Sequence, residues 1–308
     1  MIQQVRWLMF LSLLVLSVIR PANAQTTYRL YFLAGQSNME GLGRVSELPK
    51  ERTGIVTGVM IYHSNSAPDD MDYDGLGVWE SLRPGHGYGF STDGTGNIYS
   101  DLFGPELAFA QALRELEPKQ NVALIKYARS GTSIDPEASM GFGCWYSGYK
   151  DGKGMNQYDH FLATVRQALS VEDIDNDGQK DILEPAGIIW MQGESDAAYS
   201  EEIARRYENN LKQLIKQMRI DIGVKTLPVV IGQISDSGKD VDGKVWNYSE
   251  IVRDAQRAFV ERDEYAALVS ETDNYGYSDT AHYDTMGVIE LGRRFAEEIV
   301  QLSRKIEQ

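Results

Sequence analysis

The chain of 308 residues has one cysteine, Cys144, only nine prolines and four histidines, and no long apolar run beyond residue 24. A lone cysteine cannot form an internal disulfide, so stability in an oxidising compartment has to come from packing or bound ions. Cys144 itself reads as a small packing residue. Basic residues are short as well: 30 Lys and Arg stand against 45 Asp and Glu, a formal charge of −15. Neutralising phosphates needs clustered cations, so nucleic acid is excluded as a partner and neutral or cationic ligands fit better. Apolar material is not lacking. With 42% hydrophobic and 24% charged residues, the chain suits one domain of ordinary enzyme size rather than a disulfide-built mini-protein, a collagen or an acidic disordered tail.

Residues 1–24 read as a secretory signal. Arg6 supplies the early positive charge, residues 7–19 are apolar, and Ala22-Asn23-Ala24 offers the small residues that signal peptidase requires. Cleavage after Ala24 leaves a single domain over 25–308, exported to the periplasm or the cell exterior. Losing Arg6 and Arg20 takes the charge from −15 to −17. The apolar run falls short of the roughly 18 residues a span requires, so no membrane span is expected after cleavage, an uncleaved anchor being the alternative. The sequence leaves the oligomeric state open.

Along the remaining chain, short apolar runs alternate with amphipathic ones. Residues 27–34, 58–63, 121–128, 186–192 and 227–234 are mostly continuous apolar segments ending in polar residues or glycine, the pattern of strands buried on both faces, and 266–270 reads as one more. Residues 105–116, 157–169, 200–218, 246–262 and 285–305 repeat apolar positions every three or four and predict helices. Pro105 suits a first helical turn, and Ser200 ahead of Glu201 and Glu202 suits a cap. This alternation predicts right-handed crossovers and a parallel sheet with helices on both faces. Residues 64–104, rich in Gly, Asp, Tyr and Ser, have no periodicity and read as a long loop or insertion.

Ligands of parallel α/β sheets bind outside the carboxyl ends of the strands, so the residues where the strands stop are the candidates for chemistry. The first stops at Gly35-Gln36-Ser37-Asn38-Met39-Glu40-Gly41. A serine between a strand end and a helix N-terminus can expose its hydroxyl while nearby N–H groups face a developing negative charge. It is not a G-x-S-x-G elbow, because Met39 stands two residues after Ser37. The third expected strand runs into Arg129-Ser130-Gly131-Thr132-Ser133, a turn able to lend a backbone donor. The fourth runs into Gln192-Gly193-Glu194-Ser195-Asp196, which puts an amide and carboxylates at the same edge. Ahead of the last helix, Asp279 and His282 are three apart on a turn, so the carboxylate can fix the imidazole tautomer while the other nitrogen faces a nucleophile.

The motifs at residues 35–41, 190–196 and 279–283 together resemble the sialate O-acetylesterase and carbohydrate esterase family 6 branch of the SGNH hydrolase superfamily, a likeness running from Tyr28 to the last helix. The resemblance implies a flavodoxin-like three-layer α/β/α sandwich with a central parallel sheet of about five strands. It also implies a serine esterase that removes acetyl groups from sugars, of the acetylxylan or O-acetylated sialic acid class. Ser37 then resembles the nucleophile, His282 the base and Asp279 its orienting partner. Ser37, Gly131 and Gln192 resemble the oxyanion donors, Gln192 standing where other SGNH enzymes carry asparagine. Glu194 competes with Asp279 for the third place in the triad. No cofactor is required for this chemistry.

A metal is expected elsewhere. Residues 173–184 match a calcium-loop pattern, with Asp173, Asp175, Asp177, Asp181 and Glu184 at positions 1, 3, 5, 9 and 12, Gly178 at 6 and Gln179 offering its carbonyl. Alternate carboxylates converge on one hard cation and glycine permits the turn, so a solitary structural Ca²⁺ is expected. Two rival readings remain at this level. A non-catalytic sugar binder would stack carbohydrate on Tyr73, Trp79, Tyr88, Phe90 and Tyr99, and an SGNH lipase or thioesterase would share the triad but need an apolar acyl channel.

Overall fold

The computed structural model describes residues 25–71, 75–148 and 155–308. The expected signal segment and Tyr73 lie outside them. Seven strands form the main sheet: β1 (Thr27–Gly35), β2 (Val59–Ser64), β3 (Gly77–Ser81), β4 (Asn121–Ala128), β5 (Ile182–Met191), β6 (Val229–Gly232) and β7 (Ala266–Val269). The helices are α1 (Ser37–Glu40), α2 (Glu106–Leu116), α3 (Gln157–Leu169), α4 (Glu194–Tyr199), α5 (Glu201–Ile222), α6 (Ser249–Arg262) and α7 (Thr285–Ile306).

β1 explains why the apolar runs are continuous. Tyr31 and Phe32 are neighbours in sequence and so point to opposite faces of the pleat. Tyr31 meets Phe109 of α2 edge-on at 5.3 Å, and Phe32 meets Phe161 of α3 at 6.5 Å. Both faces are therefore covered, and a strand with no solvent side has no polar alternation to show. α7 lies directly on α2, where a Cβ on Gly292 would come within 2.4 Å of Pro105 O. On the Phe32 face, Tyr207 of α5 and Gln256 of α6 both reach Gln192 O, at 2.8 and 3.1 Å.

The sheet runs β7-β6-β5-β1-β4-β2-β3, parallel throughout except for β3. Without β2 and β3, the five remaining strands counted along the chain have the flavodoxin order 2-1-3-4-5. β2 and β3 extend that sheet on one side, so the sheet is wider than the expected five. β3 pairs antiparallel with β2, Met60 opposite Ser81 and Ser64 opposite Gly77. It escapes notice in the sequence because GVWES is an edge strand, half-buried and polar. The segment expected to be one long loop also holds two short ribbons, Ser91–Thr92 with Asn97–Ile98 and Leu102–Phe103 with Gly43–Arg44. Among the described residues, no helix is long and apolar enough to cross a membrane.

β1 lies between β4 and β5, and successive crossovers from it diverge to either side. That divergence opens a crevice at the carboxyl ends of these three strands.

Candidate active site

β1 ends at Gly35 with φ +147°, where a Cβ would lie 2.0 Å from Met191 O. Only glycine lets the ends of β1 and β5 close this tightly, with Gln36 N donating to Met191 O at 2.9 Å. The chain then makes the single turn α1, which opens with Ser37. Ser37 is 5% exposed, and among the described residues its N–H has no acceptor.

Glu40, at the other end of that turn, ties α1 to the loop after β4. Its Oε2 accepts from Ser130 N at 2.7 Å and from the Ser130 hydroxyl. Burial pushes the Glu40 carboxyl up, and the two Ser130 hydrogen bonds pull the other way. This anchor fixes the turn containing Gly131, whose φ is +75° and whose Cβ, if present, would press into the Phe142 ring at 2.6 Å. Among the described residues, the Gly131 N–H also lacks an acceptor. Two unpaired backbone donors thus flank the Ser37 turn.

Gln192 was expected to supply a third donor, and the structure turns it elsewhere. It is fully buried, with Nε2 at 2.7 Å from Asp196 Oδ2 and at 3.1 Å from both Thr132 O and Gln36 Oε1. Asp196 also accepts from Ile134 N and Asp135 N, each at 3.0 Å. Burial raises the Asp196 carboxyl to about 6, against the pull of these donors. Gln192 and Asp196 therefore brace the loops after β4 and β5 against each other. The Asp196 carboxylate, in the first turn of α4, thus serves the loop after β4.

Glu194 opens α4 at the same edge. It is 2% exposed, its Oε1 accepts from Asn38 Nδ2 at 2.8 Å, and its Oε2 is buried with no hydrogen-bond partner. Burial pushes its carboxyl up, while the Asn38 bond and the charge of His282 favour ionisation.

The loop before α7 carries the other pair. His282 Nδ1 stands 2.7 Å from Asp279 Oδ2, and Asp279 Oδ1 accepts from Ala281 N at 2.7 Å and His282 N at 2.8 Å. Partial burial works against the Asp279 charge, but the His282 bond and these two N–H groups win and hold its carboxyl below the usual range. Asn38 brings this loop to Ser37: its Oδ1 accepts from Tyr283 N at 3.2 Å and its Nδ2 reaches Ala281 O at 3.4 Å. The residues on both sides of His282 are thereby held by the side chain next to Ser37. Ser37, Glu194, His282 and Asp279 gather at one edge, with Gly131 beside them.

Sequence reading gave no role to Asn38, Glu40 or Lys126. Lys126 sits mid-strand in β4, fully buried, and its Nζ donates to Glu106 Oε2 at 2.6 Å, His86 O at 2.7 Å and Glu40 O at 2.9 Å. A lysine inside the apolar run NVALIKYA was the available signal, since such a charge stays buried only when fully paired. The 85–103 segment also supports α1, with Tyr88 N donating to Gly41 O at 2.8 Å.

The aromatic residues considered as a sugar platform are mostly packing. Trp79 is buried and donates to Ala168 O at 2.9 Å, Phe90 stacks on His63 at 4.1 Å and on His86 at 4.9 Å, and Tyr99 bonds Glu80; Tyr88 alone of the four described is exposed. Cys144 is buried, and burial pushes its thiol up to about 12. Asp173, Asp175 and Asp177 form the one three-residue group with metal-ligand spacing among the described residues, at the opposite ends of the strands from Ser37.

A family model described as carbohydrate esterase, sialic acid-specific acetylesterase, matches residues 27–301. A protein of Arabidopsis thaliana named "Probable carbohydrate esterase" is 26% identical over 276 residues, 87% of this chain and 89% of its own. An X-ray structure of an Arabidopsis thaliana protein superposes with a TM-score of 0.61 at 20% identity, covering 89% of this chain and 98% of that one. A carbohydrate acetylesterase from Xanthomonas citri gives 0.58 at 17% identity over 87% of this chain and 55% of that one. NanS gives 0.56 at 14% identity, over 91% and 98%. At these identities the superpositions establish a shared fold.

Proposed function

Because the chain belongs to the sialic acid-specific acetylesterase family of carbohydrate esterases, we propose that it is a serine esterase that removes O-acetyl groups from carbohydrates through an acyl-enzyme. The observation that carries this reading is the His282–Asp279 pair, held by Asn38 against the turn that opens with Ser37.

With Nδ1–H donating to Asp279, His282 keeps a lone pair on Nε2 for the Ser37 proton. The Ser37 oxygen attacks the acetyl carbonyl, and the carbonyl oxygen takes up negative charge. The free N–H groups of Ser37 and Gly131 receive that charge, each such donor being worth on the order of 10²–10³ in turnover. Gln192 acts here by bracing the two loops rather than by donating. His282 gives its proton to the leaving sugar oxygen as the acyl C–O bond breaks, then takes a proton from the water that attacks the acyl-enzyme and passes it to the Ser37 oxygen as acetate leaves.

Asp279 is the residue that orients His282, and Glu194, linked to the same loop through Asn38, stabilises the imidazolium at longer range. Residues 1–24 make this an exported enzyme, working in the periplasm or outside the cell on acetylated xylan or sialic acid. The test is acetate release from acetylated xylan oligomers, O-acetyl sialic acids and p-nitrophenyl acetate. Wild type should turn over at least the simple ester and one sugar class, and Ser37→Ala none. Unchanged turnover in Ser37→Ala would overturn the serine mechanism.

A further inference from the structure

The acidic loop ahead of β5 is built differently from the twelve-residue pattern of its sequence. Asp181 N donates to Glu172 O at 2.7 Å, which closes the loop after nine residues, 173–181. Glu184, the expected twelfth ligand, lies beyond that closure, in β5 opposite Arg29 of β1. Within the closed loop, one carboxylate oxygen from each of Asp173, Asp175 and Asp177 lies within 4.8 Å of the others.

The independent observation is Asp181. It is 7% exposed, and its Oδ2 accepts from Ile174 N at 2.8 Å, the residue between Asp173 and Asp175. That bond folds the Asp181 side chain back onto the loop, beside the Asp173, Asp175 and Asp177 group rather than within its 4.8 Å cluster, and its Oδ1 is buried with no hydrogen-bond partner. A buried carboxylate oxygen with nothing to accept from is costly, and a cation is the partner that removes the cost. No side-chain cation relieves this: Lys180, the one lysine of the loop, turns out to Glu172 at 2.6 Å, and among the described residues none of the four aspartates is ion-paired.

We propose that residues 173–181 form a calcium site, with Asp173, Asp175, Asp177, the Gln179 carbonyl and Asp181 as ligands and Asp181 taking the closing place that the sequence pattern gives to Glu184. All donors are hard oxygens, and a mixed carboxylate and carbonyl set on an adaptable loop suits Ca²⁺ better than the strict octahedron of Mg²⁺. Tyr28 of β1 donates to Asp175 Oδ2 at 2.8 Å, so the site joins the amino ends of β1 and β5. Those two strands carry Ser37 and Glu194 past their far ends. The ion therefore pins the sheet rather than taking part in the chemistry.

The test uses the full domain, stripped with chelator and titrated with Ca²⁺ by calorimetry, with Tb³⁺ emission excited through tyrosine as a second readout because Tyr28 touches a ligand. One Ca²⁺ per chain is expected, with a rise in Tm. Asp177→Asn, at an exposed position, and Asp181→Asn should each weaken binding by about tenfold or more, while Glu184→Gln binds as wild type. No heat and no Tm change with millimolar Ca²⁺ would overturn the site. Equal weakening by Glu184→Gln and Asp181→Asn would overturn the nine-residue assignment, and Mg²⁺ binding as tightly as Ca²⁺ would overturn the choice of ion. Circular dichroism of each variant separates lost binding from lost folding.

Discussion

Asn38 and Glu194, 156 residues apart in sequence, share a 2.8 Å hydrogen bond, and the same Asn38 side chain holds the backbone on both sides of His282. The residue after Ser37 thus holds both Glu194 and the backbone that carries the imidazole. Removing its amide leaves Glu194 Oε1 and the Tyr283 N–H without their partners inside the protein.

Asn38→Ala should therefore lose about 1–3 kcal/mol of stability and, through misplacement of His282, about 10²-fold in kcat. Urea unfolding and steady-state hydrolysis of p-nitrophenyl acetate measure the two losses. A variant with wild-type kcat would show that Asn38 does not position the histidine.

The two acids separate by substitution. Asp279→Asn should lower kcat on the order of 10³–10⁴, since an amide at 2.7 Å from Nδ1 no longer selects the Nδ1–H tautomer. Glu194→Gln keeps the Asn38 contact possible and should lower kcat far less, about tenfold, as expected of a longer-range charge. The reverse ranking would make Glu194 the orienting acid.

Gly131→Ala places a methyl at φ +75°, against the Phe142 ring. The strained turn should pull its N–H from the oxyanion, with kcat falling on the order of 10²–10³ and KM for p-nitrophenyl acetate nearly unchanged. A fall confined to KM would remove Gly131 from the oxyanion site.

Lys126→Met strands Glu106 and two carbonyls in a fully buried pocket, and should destabilise by about 3–5 kcal/mol in denaturant unfolding. Adding Glu106→Gln removes the uncompensated charge and should recover part of that loss. A single variant as stable as wild type would mean that the pair is dispensable.

Asp196 gives a pH signature. Its folded carboxyl is raised from 3.8 to about 6 by burial, so between these values the folded state holds a proton that the unfolded state has released. The resulting stabilisation is full below the unfolded value and is lost as pH rises to 6, at most about 3 kcal/mol in all. Tm measured from pH 4 to 7 for wild type and Asp196→Asn should show the wild type losing stability relative to the variant across that window. Parallel curves would count against a protonated Asp196.

Much of the fold was determined by the sequence itself, because strands with both faces covered need unbroken apolar runs and those runs are local. The same logic located Ser37, Ser130-Gly131 and Gln192-Glu194, since each follows directly where such a run stops. What the runs could not convey is which polar group meets which. Glu40 meets Ser130 across 90 residues and Lys126 meets Glu106 across 20, and neither partner is marked by spacing or period. Gln192 looked like a donor at an open edge until the fold brought Asp196 and Thr132 to its amide. The acidic loop looked twelve residues long until the Asp181–Glu172 backbone bond closed it at nine. Local pattern reports whether a residue is buried; only tertiary structure decides what satisfies it, because a buried polar group must find its partner wherever the chain returns.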